Sequence, residues 1–172
     1  MIILAFVDMH GSLTAFEKIK EKSKKADVIV CCGDFTVFEQ GIEHFLSAFN
    51  KLNKPFLLIH GNHEDDNLLK HLCKQYNNIH FIHNNHFIKD DILFLGWGGG
   101  GFSFVDRDFE KECKRFRQII NKNDDKAIVL VTHAPPYKTK LDHINGDYSG
   151  NKSLRGFIEK NRLSFVLCGH FH

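Results

Sequence analysis

Several features that would settle the class of this chain at once are absent from it. There is no CxxC pair, no internal repeat, no low-complexity tract and no linker-like stretch. Without CxxC, neither a zinc ribbon nor a dithiol redox couple is indicated. The one glycine run, Gly98-Gly99-Gly100-Gly101, continues Phe102-Ser103 instead of Gly-Lys-Ser/Thr, so it reads as a tight turn and not as a P-loop. Charge of either sign is also lacking in surplus. With 23 basic against 21 acidic residues the formal net charge is +2, too balanced to draw a polyanion by bulk field. The opening Met1-Ile2-Ile3-Leu4-Ala5-Phe6-Val7 has no basic n-region and is too short to span a bilayer before Asp8 arrives. It reads as a first core strand, and no membrane association is expected.

What is present is an ordinary globular composition, 42% hydrophobic and 26% charged over 172 residues, which suits one domain, 1–172. Five cysteines are an odd count. Cys31, Cys32 and Cys168 sit in strand-like apolar runs and Cys73 and Cys113 on apolar helical faces, where a free thiol is a small hydrophobe. Structural thiols imply a reducing compartment, and a cytoplasmic location is expected.

Short β-rich runs occur at Ile2–Val7, Val28–Cys32, Phe56–Ile59, Ile79–Ile82, Ile92–Leu95, Ile128–Thr132 and Phe165–Cys168. Most are apolar throughout, as strands covered on both faces are, which favours a layered α/β or sandwich fold. Helices are expected at Leu13–Lys25, Gln40–Leu52, Asn67–Gln75, Arg107–Asn121 and Ser153–Lys160. In the second of them Ile42, Phe45, Leu46 and Phe49 trace one stripe at helical spacing, and Ser12 or Thr14 offers a cap to the first.

The residues able to hold a metal fall just beyond the C-terminal ends of these strands. Asp8 and His10 follow the first, Gly33-Asp34 the second, Gly61-Asn62-His63-Glu64 the third, His133 the sixth and Gly169-His170-Phe171-His172 the seventh. In open α/β sheets that edge is the usual ligand site. The one-residue gaps in Asp8-Met9-His10 and His170-Phe171-His172 place both side chains of each pair on one side of an extended segment. Two carboxylates, one amide oxygen and four imidazoles exceed what one tetrahedral ion uses. Two divalent ions roughly 3.5–4 Å apart can clamp the attacking and leaving oxygens of an in-line displacement and make a water nucleophilic.

Taken in order, Asp8-x-His10, Gly33-Asp34, Gly61-Asn62-His63-Glu64, His133 and Gly169-His170-x-His172 resemble the motif series of the calcineurin-like metallophosphoesterases across essentially the whole chain. The run from Val131 to Asp142 resembles a subgroup of small prokaryotic members. The resemblance implies a four-layer α/β/β/α sandwich of two mixed sheets. It implies that Asp8, His10 and His172 hold one ion, that Asn62, His133 and His170 hold the other, and that Asp34 bridges them. His63 would face the substrate, donating a proton to the leaving oxygen or stabilising phosphoryl charge, with Glu64 or Asp65 orienting it. Manganese is favoured among manganese, iron, zinc, nickel and cobalt, between which this donor set discriminates poorly.

The implied activity is hydrolysis of a phosphodiester or phosphomonoester by metal-activated hydroxide. Gly33-Asp34 continues Phe-Thr-Val-Phe, without the Val-Asp-Arg-Gly arginine of serine/threonine protein phosphatases, so a diesterase is expected over a protein phosphatase. A nuclease is a further alternative sharing the two-metal chemistry; it would want a basic groove with stacking aromatics, of which the sequence offers no clear one, so nucleic acid stays open as a partner but is not indicated. The dense run Lys18 to Lys25 reads as a solvated helix face. Because relatives continue past Gly-His-x-His, the chain is expected to lack the family's C-terminal strands, leaving the second sheet incomplete. A homodimer or companion chain would then complete it, and a partner-dependent metal-binding subunit is the alternative to an independent enzyme.

The remaining histidines carry the opposite expectation. His80, His83 and His86 read as surface or hairpin residues, His60 as a strand-end residue beneath the site, and His44 and His71 as helical. Tyr137, Lys138, Lys140 and His143 read as an exposed charged loop, and Trp97 as a ring that either stacks on a base or packs.

Overall fold

The computed structural model describes residues 1–171, so His172, expected as a metal ligand, lies outside the described residues. Strands β1 (Ile3–Phe6), β2 (Val28–Cys31), β3 (Phe56–Leu58) and β4 (Ile79–Phe81) form one sheet in chain order, every neighbouring pair parallel. Helices α1 (Leu13–Ser23), α2 (Ile42–Asn50) and α3 (Asp66–Cys73) make the crossovers between them. A second sheet has the order β10-β7-β6-β5, from β5 (Asn85–Lys89), β6 (Ile92–Trp97), β7 (Ala127–Thr132) and β10 (Phe165–Leu167). Its β5–β6 pair is antiparallel and the other two pairs are parallel. The mixing expected of both sheets is therefore confined to the second, because each connection within the first is a helical crossover, which returns the chain in the same direction. Helices α4 (Arg107–Asn121) and α5 (Lys152–Lys160) belong to the second half, and a small hairpin of β8 (His143–Ile144) and β9 (Asp147–Tyr148) lies between β7 and α5.

The four layers follow from the period of two along each strand. On β2 and β3, Ile29, Cys31, Phe56 and Leu58 pack with Ile19, Phe45, Leu46, Phe49 and Leu69 of the three helices. Their alternating neighbours Val28, Val30 and Leu57 point the other way, against Phe94, Val129 and Val131 of the second sheet. Beyond that sheet, Leu93, Leu95, Ile128 and Leu130 meet Phe109 and Phe116 of α4 and Leu154 and Phe157 of α5. Each central strand thus serves two cores, which is why its sequence is apolar at every position. At roughly 1.5–3 kcal/mol for each large side chain fully buried, these three clusters supply the bulk of the driving force for folding.

The expected elements stand within a few residues, and the α2 stripe of Ile42, Phe45, Leu46 and Phe49 is wholly buried. Ser12 caps α1, its hydroxyl accepting from the Ala15 amide at 3.2 Å. Strands β5, β8 and β9 have no counterpart among the expected elements. Strands β1 and β10 stand at the ends of their sheets, with no further strand beside either among the described residues. No helix among those residues is long and apolar enough to cross a membrane. All five cysteines are free; burial pushes the thiols up, Cys73 to about 12 and Cys168 to about 11.

Candidate metal centre

The loops after β1, β2, β3, β7 and β10 meet at one edge, where the two sheets face each other. They are tied together through their backbones. The amides of Asp8 and His10 donate to the carbonyls of Gly33 and Asp34 at 3.2 and 3.0 Å, and the Gly169 amide donates to the His133 carbonyl at 2.9 Å. Glu64, 6% exposed, fastens two of the loops from beneath. One carboxylate oxygen accepts from the amides of Asp34 and Gly61 at 2.9 and 3.0 Å, and the other from the Thr36 amide and hydroxyl at 2.9 and 2.8 Å. This corrects the expected role of Glu64, whose hydrogen bonds orient loops and not His63. Asp65 is likewise engaged elsewhere, capping α3 by accepting from the Leu68 amide at 2.8 Å.

Close approach sets the glycines. A Cβ on Gly61 would lie 1.9 Å from Asp34 Oδ1, and one on Gly33, whose φ is +92°, would lie 2.5 Å from the Gly61 amide nitrogen. Asp8, His10, Asp34 and His170 all adopt positive φ, at 52°, 46°, 53° and 74°. Left-handed backbone at non-glycine residues costs free energy and gathers where a site demands it.

Around His133 the acceptors converge. Its Nδ1 is 2.9 Å from the Cys32 carbonyl oxygen, and since a carbonyl only accepts, the ring carries a proton there and turns Nε2 inward. Nε2 lies 3.1 Å from Asn62 Oδ1, 3.1 Å from His170 Nδ1 and 3.3 Å from Asp34 Oδ2. Asp34 is 2% exposed and His133 fully buried. Burial pushes the His133 pKa down, but the Asp34 carboxylate and the Cys32 carbonyl prevail and hold it above the ordinary value. Burial pushes Asp34 up, and His133 with the amide and ring of His63 outweighs that and holds the carboxyl low. A proton on Nε2 satisfies one of these acceptors; a divalent cation satisfies them all, so the donor set fits a metal ion.

A second group shares Asp34. Ligand atoms of His10, Asp34 and His63 lie within 4.8 Å of one another, as do those of Asp34, His133 and His170. Asp8 Oδ2 accepts from the His170 amide at 2.9 Å, while Oδ1 is buried with no hydrogen-bond partner among the described residues. His63 donates its amide to Asp34 Oδ1 at 2.9 Å, and its Nδ1 faces the Phe38 amide at 3.4 Å. Its Nε2 stands 3.9 Å from Asp34 Oδ2.

Asp8, His10, Asp34, Asn62, His63, His133 and His170 are therefore brought together as the sequence motifs suggest. His60 packs beneath them as expected; burial and the neighbouring His83 imidazole push its pKa down to about 4. His83, expected at the surface or in a hairpin, is half-buried: its Nδ1 accepts from the Gly98 amide at 2.8 Å and its ring lies 4.8 Å from Trp97. Trp97 packs, 6% exposed, its indole donating to Asp106 at 2.8 Å. His86 lies in the β5–β6 hairpin, and Lys138, Lys140 and His143 are exposed as expected.

Known proteins share both the sequence and the fold of this chain. It is 32% identical over its full length to the uncharacterized protein MJ1162 of Methanocaldococcus jannaschii, of which it spans 80%. It is 28% identical, over 96% of its length, to a probable glycerophosphodiester phosphodiesterase GpdQ of Arcobacter nitrofigilis and spans 64% of that relative. The crystal structure of TT1561 of Thermus thermophilus superposes with a TM-score of 0.77 at 17% identity, covering 96% of this chain and 80% of that one, a likeness of fold. The calcineurin-like phosphoesterase model matches residues 1–172. By that match across its whole length, the chain belongs to the calcineurin-like phosphoesterase family.

Proposed function

We propose that this chain is a two-metal phosphoesterase acting on a phosphodiester in preference to a phosphomonoester. The observation that carries the proposal is the convergence of Asn62 Oδ1, His170 Nδ1 and Asp34 Oδ2 on His133 Nε2, a cluster of acceptors in need of a cation. In this reading Asn62, His133 and His170 would hold one ion, Asp8, His10 and His172 the other, with Asp34 shared between the two groups. Two divalent ions held there, manganese favoured, would supply polarisation of the phosphoryl oxygens and a nucleophilic water near neutral pH.

The chain's own contribution is orientation and a hydrogen bond to developing charge. With Nδ1 of His63 accepting from the Phe38 amide, the neutral ring carries its proton on Nε2, which faces Asp34. That N–H would donate a hydrogen bond to the charge developing on the phosphoryl group as a hydroxide oxygen bonds to phosphorus and the ester P–O bond breaks, the departing alkoxide taking its proton from solvent. The diester preference is supported by the probable activity of the GpdQ relative and by the lack of an arginine after Asp34.

The test is release of p-nitrophenolate from bis-p-nitrophenyl phosphate and p-nitrophenyl phosphate, with manganese added to chelator-free protein. Metal-dependent hydrolysis abolished in Asp34→Ala, and lowered about 10²- to 10³-fold in kcat in His63→Ala, is expected. Bound metal without turnover of either ester would overturn the enzyme reading in favour of a partner-dependent subunit.

A further inference from the structure

Phe38 and Phe102 are each 72% exposed, the highest values among the large apolar side chains. Both stand in ring contact with a histidine of the site. The Phe38 ring is 4.5 Å from His63, and the Phe102 ring is 4.6 Å from His170 and 5.6 Å from Phe171. Those histidines belong to the two different ligand groups that share Asp34, so the two phenylalanines attend different sides of the centre. Phe38 also holds a φ of +46°. A bulky residue in left-handed backbone is an outlier, retained here at an exposed position where burial cannot repay it.

Charge around the site follows a complementary pattern. The site-bearing loops, residues 8–12, 33–41, 60–67, 97–106, 133–137 and 168–171, contain no lysine or arginine. Lys138 lies over the Tyr137 ring at 5.7 Å and Lys152 over the same ring at 4.8 Å. A nucleic-acid strand would need a cationic track for its successive phosphates. These loops instead offer aromatic faces beside the two ligand groups that share Asp34.

We propose that Phe38 and Phe102 are the stacking faces for a planar ring carried by the substrate. The ester hydrolysed here is then a small phosphodiester of a nucleoside or a comparable aromatic alcohol, not an alkyl diester or a polymer. This rests on the phosphoesterase reading above. Each exposed face contributes through stacking, which for a nucleobase on an aromatic side chain changes binding about 5- to 150-fold.

Two measurements separate the inference from the reading beneath it. In the first, manganese-loaded protein is assayed on two diesters with the same leaving group, thymidine 5′-(p-nitrophenyl) phosphate and ethyl p-nitrophenyl phosphate. The ratio of kcat/KM should favour the nucleoside ester at least about 5-fold, fall at least about 5-fold in Phe38→Ala and in Phe102→Ala, and recover in the Phe→Tyr variants. In the second, calorimetry compares thymidine 5′-monophosphate with ethyl phosphate on the same proteins, which needs no turnover. Absence of hydrolysis with a preserved, phenylalanine-dependent difference in Kd would refute the enzyme and keep the aromatic subsite. Equal Kd for the two phosphates, or a wild-type preference unmoved by either Phe→Ala change, would overturn the inference whatever the turnover.

Discussion

Replacing Glu64 by glutamine changes one atom and should be among the most damaging conservative substitutions in the chain. Each carboxylate oxygen accepts two hydrogen bonds, one oxygen from the amides of Asp34 and Gly61, the other from the amide and hydroxyl of Thr36. The carboxamide keeps one acceptor and presents an NH2 group to whichever pair it faces, opposing donor to donor. Two bonds to a charged acceptor are lost at roughly 1.5–3 kcal/mol each, so the expected cost is about 3–6 kcal/mol. For a chain of this size each kcal/mol lowers Tm by roughly 2–4 °C, giving a fall of about 6–24 °C. The assay is urea and thermal unfolding followed by circular dichroism, with metal binding measured on the same preparations. Because the same carboxylate holds the Asp34 and Gly61 loops in register, metal affinity should drop together with stability. A cost below about 1 kcal/mol, with metal affinity intact, would refute the assignment of Glu64 as the clasp of the site.

Three further outcomes follow from the geometry. In Gly61→Ala the added carbon has backbone and the Asp34 carboxylate within 2.7 Å, so metal binding should vanish; a variant that still takes up metal would show that the loops yield to the added methyl group. His60 has its folded-state pKa pushed from 6.5 down to about 4, so the unfolded chain takes up a proton first as pH falls. Stability should be full above pH 6.5 and drain by up to roughly 3 kcal/mol on descending to pH 4. Urea titrations should show that slope reduced in His60→Gln, and an unchanged slope would contradict the assignment. Saturating manganese should stabilise the chain by about 2.7 kcal/mol for each ion held at one hundred times its Kd, reversed by chelator and absent in Asp34→Ala, as thermal shift would report.

Legibility in the sequence followed physical signal strength. Val28-Ile29-Val30 and Phe56-Leu57-Leu58 announce buried strands because both faces of each are covered. Strand β5, Asn85–Lys89, is largely exposed and alternates too weakly to read, and β8 and β9 have two residues each, too few for any period. The site residues were readable because ligand chemistry is confined to few residue types placed at strand ends. Glu64 was visible as a residue and opaque in its role, since its partners are backbone amides of residues 34, 36 and 61, which no side-chain pattern encodes. Phe38 and Phe102 sit in irregular loops, where a phenylalanine that faces solvent and one that packs look alike.

The centre also straddles a seam. Asp34 and Asn62 extend from the parallel sheet, whereas His133 and His170 extend from the mixed one, and the sheets are joined by the apolar layer around Phe94, Val129 and Val131 and by hydrogen bonds at the rim, His133 to the Cys32 carbonyl and the His170 amide to Asp8. A cation held by all four would therefore be a removable cross-link, joining chain positions about a hundred residues apart much as a disulfide does. Withdrawing it would leave the seam to its apolar layer and those rim hydrogen bonds, so metal starvation should loosen the loops at the rim before either half unfolds.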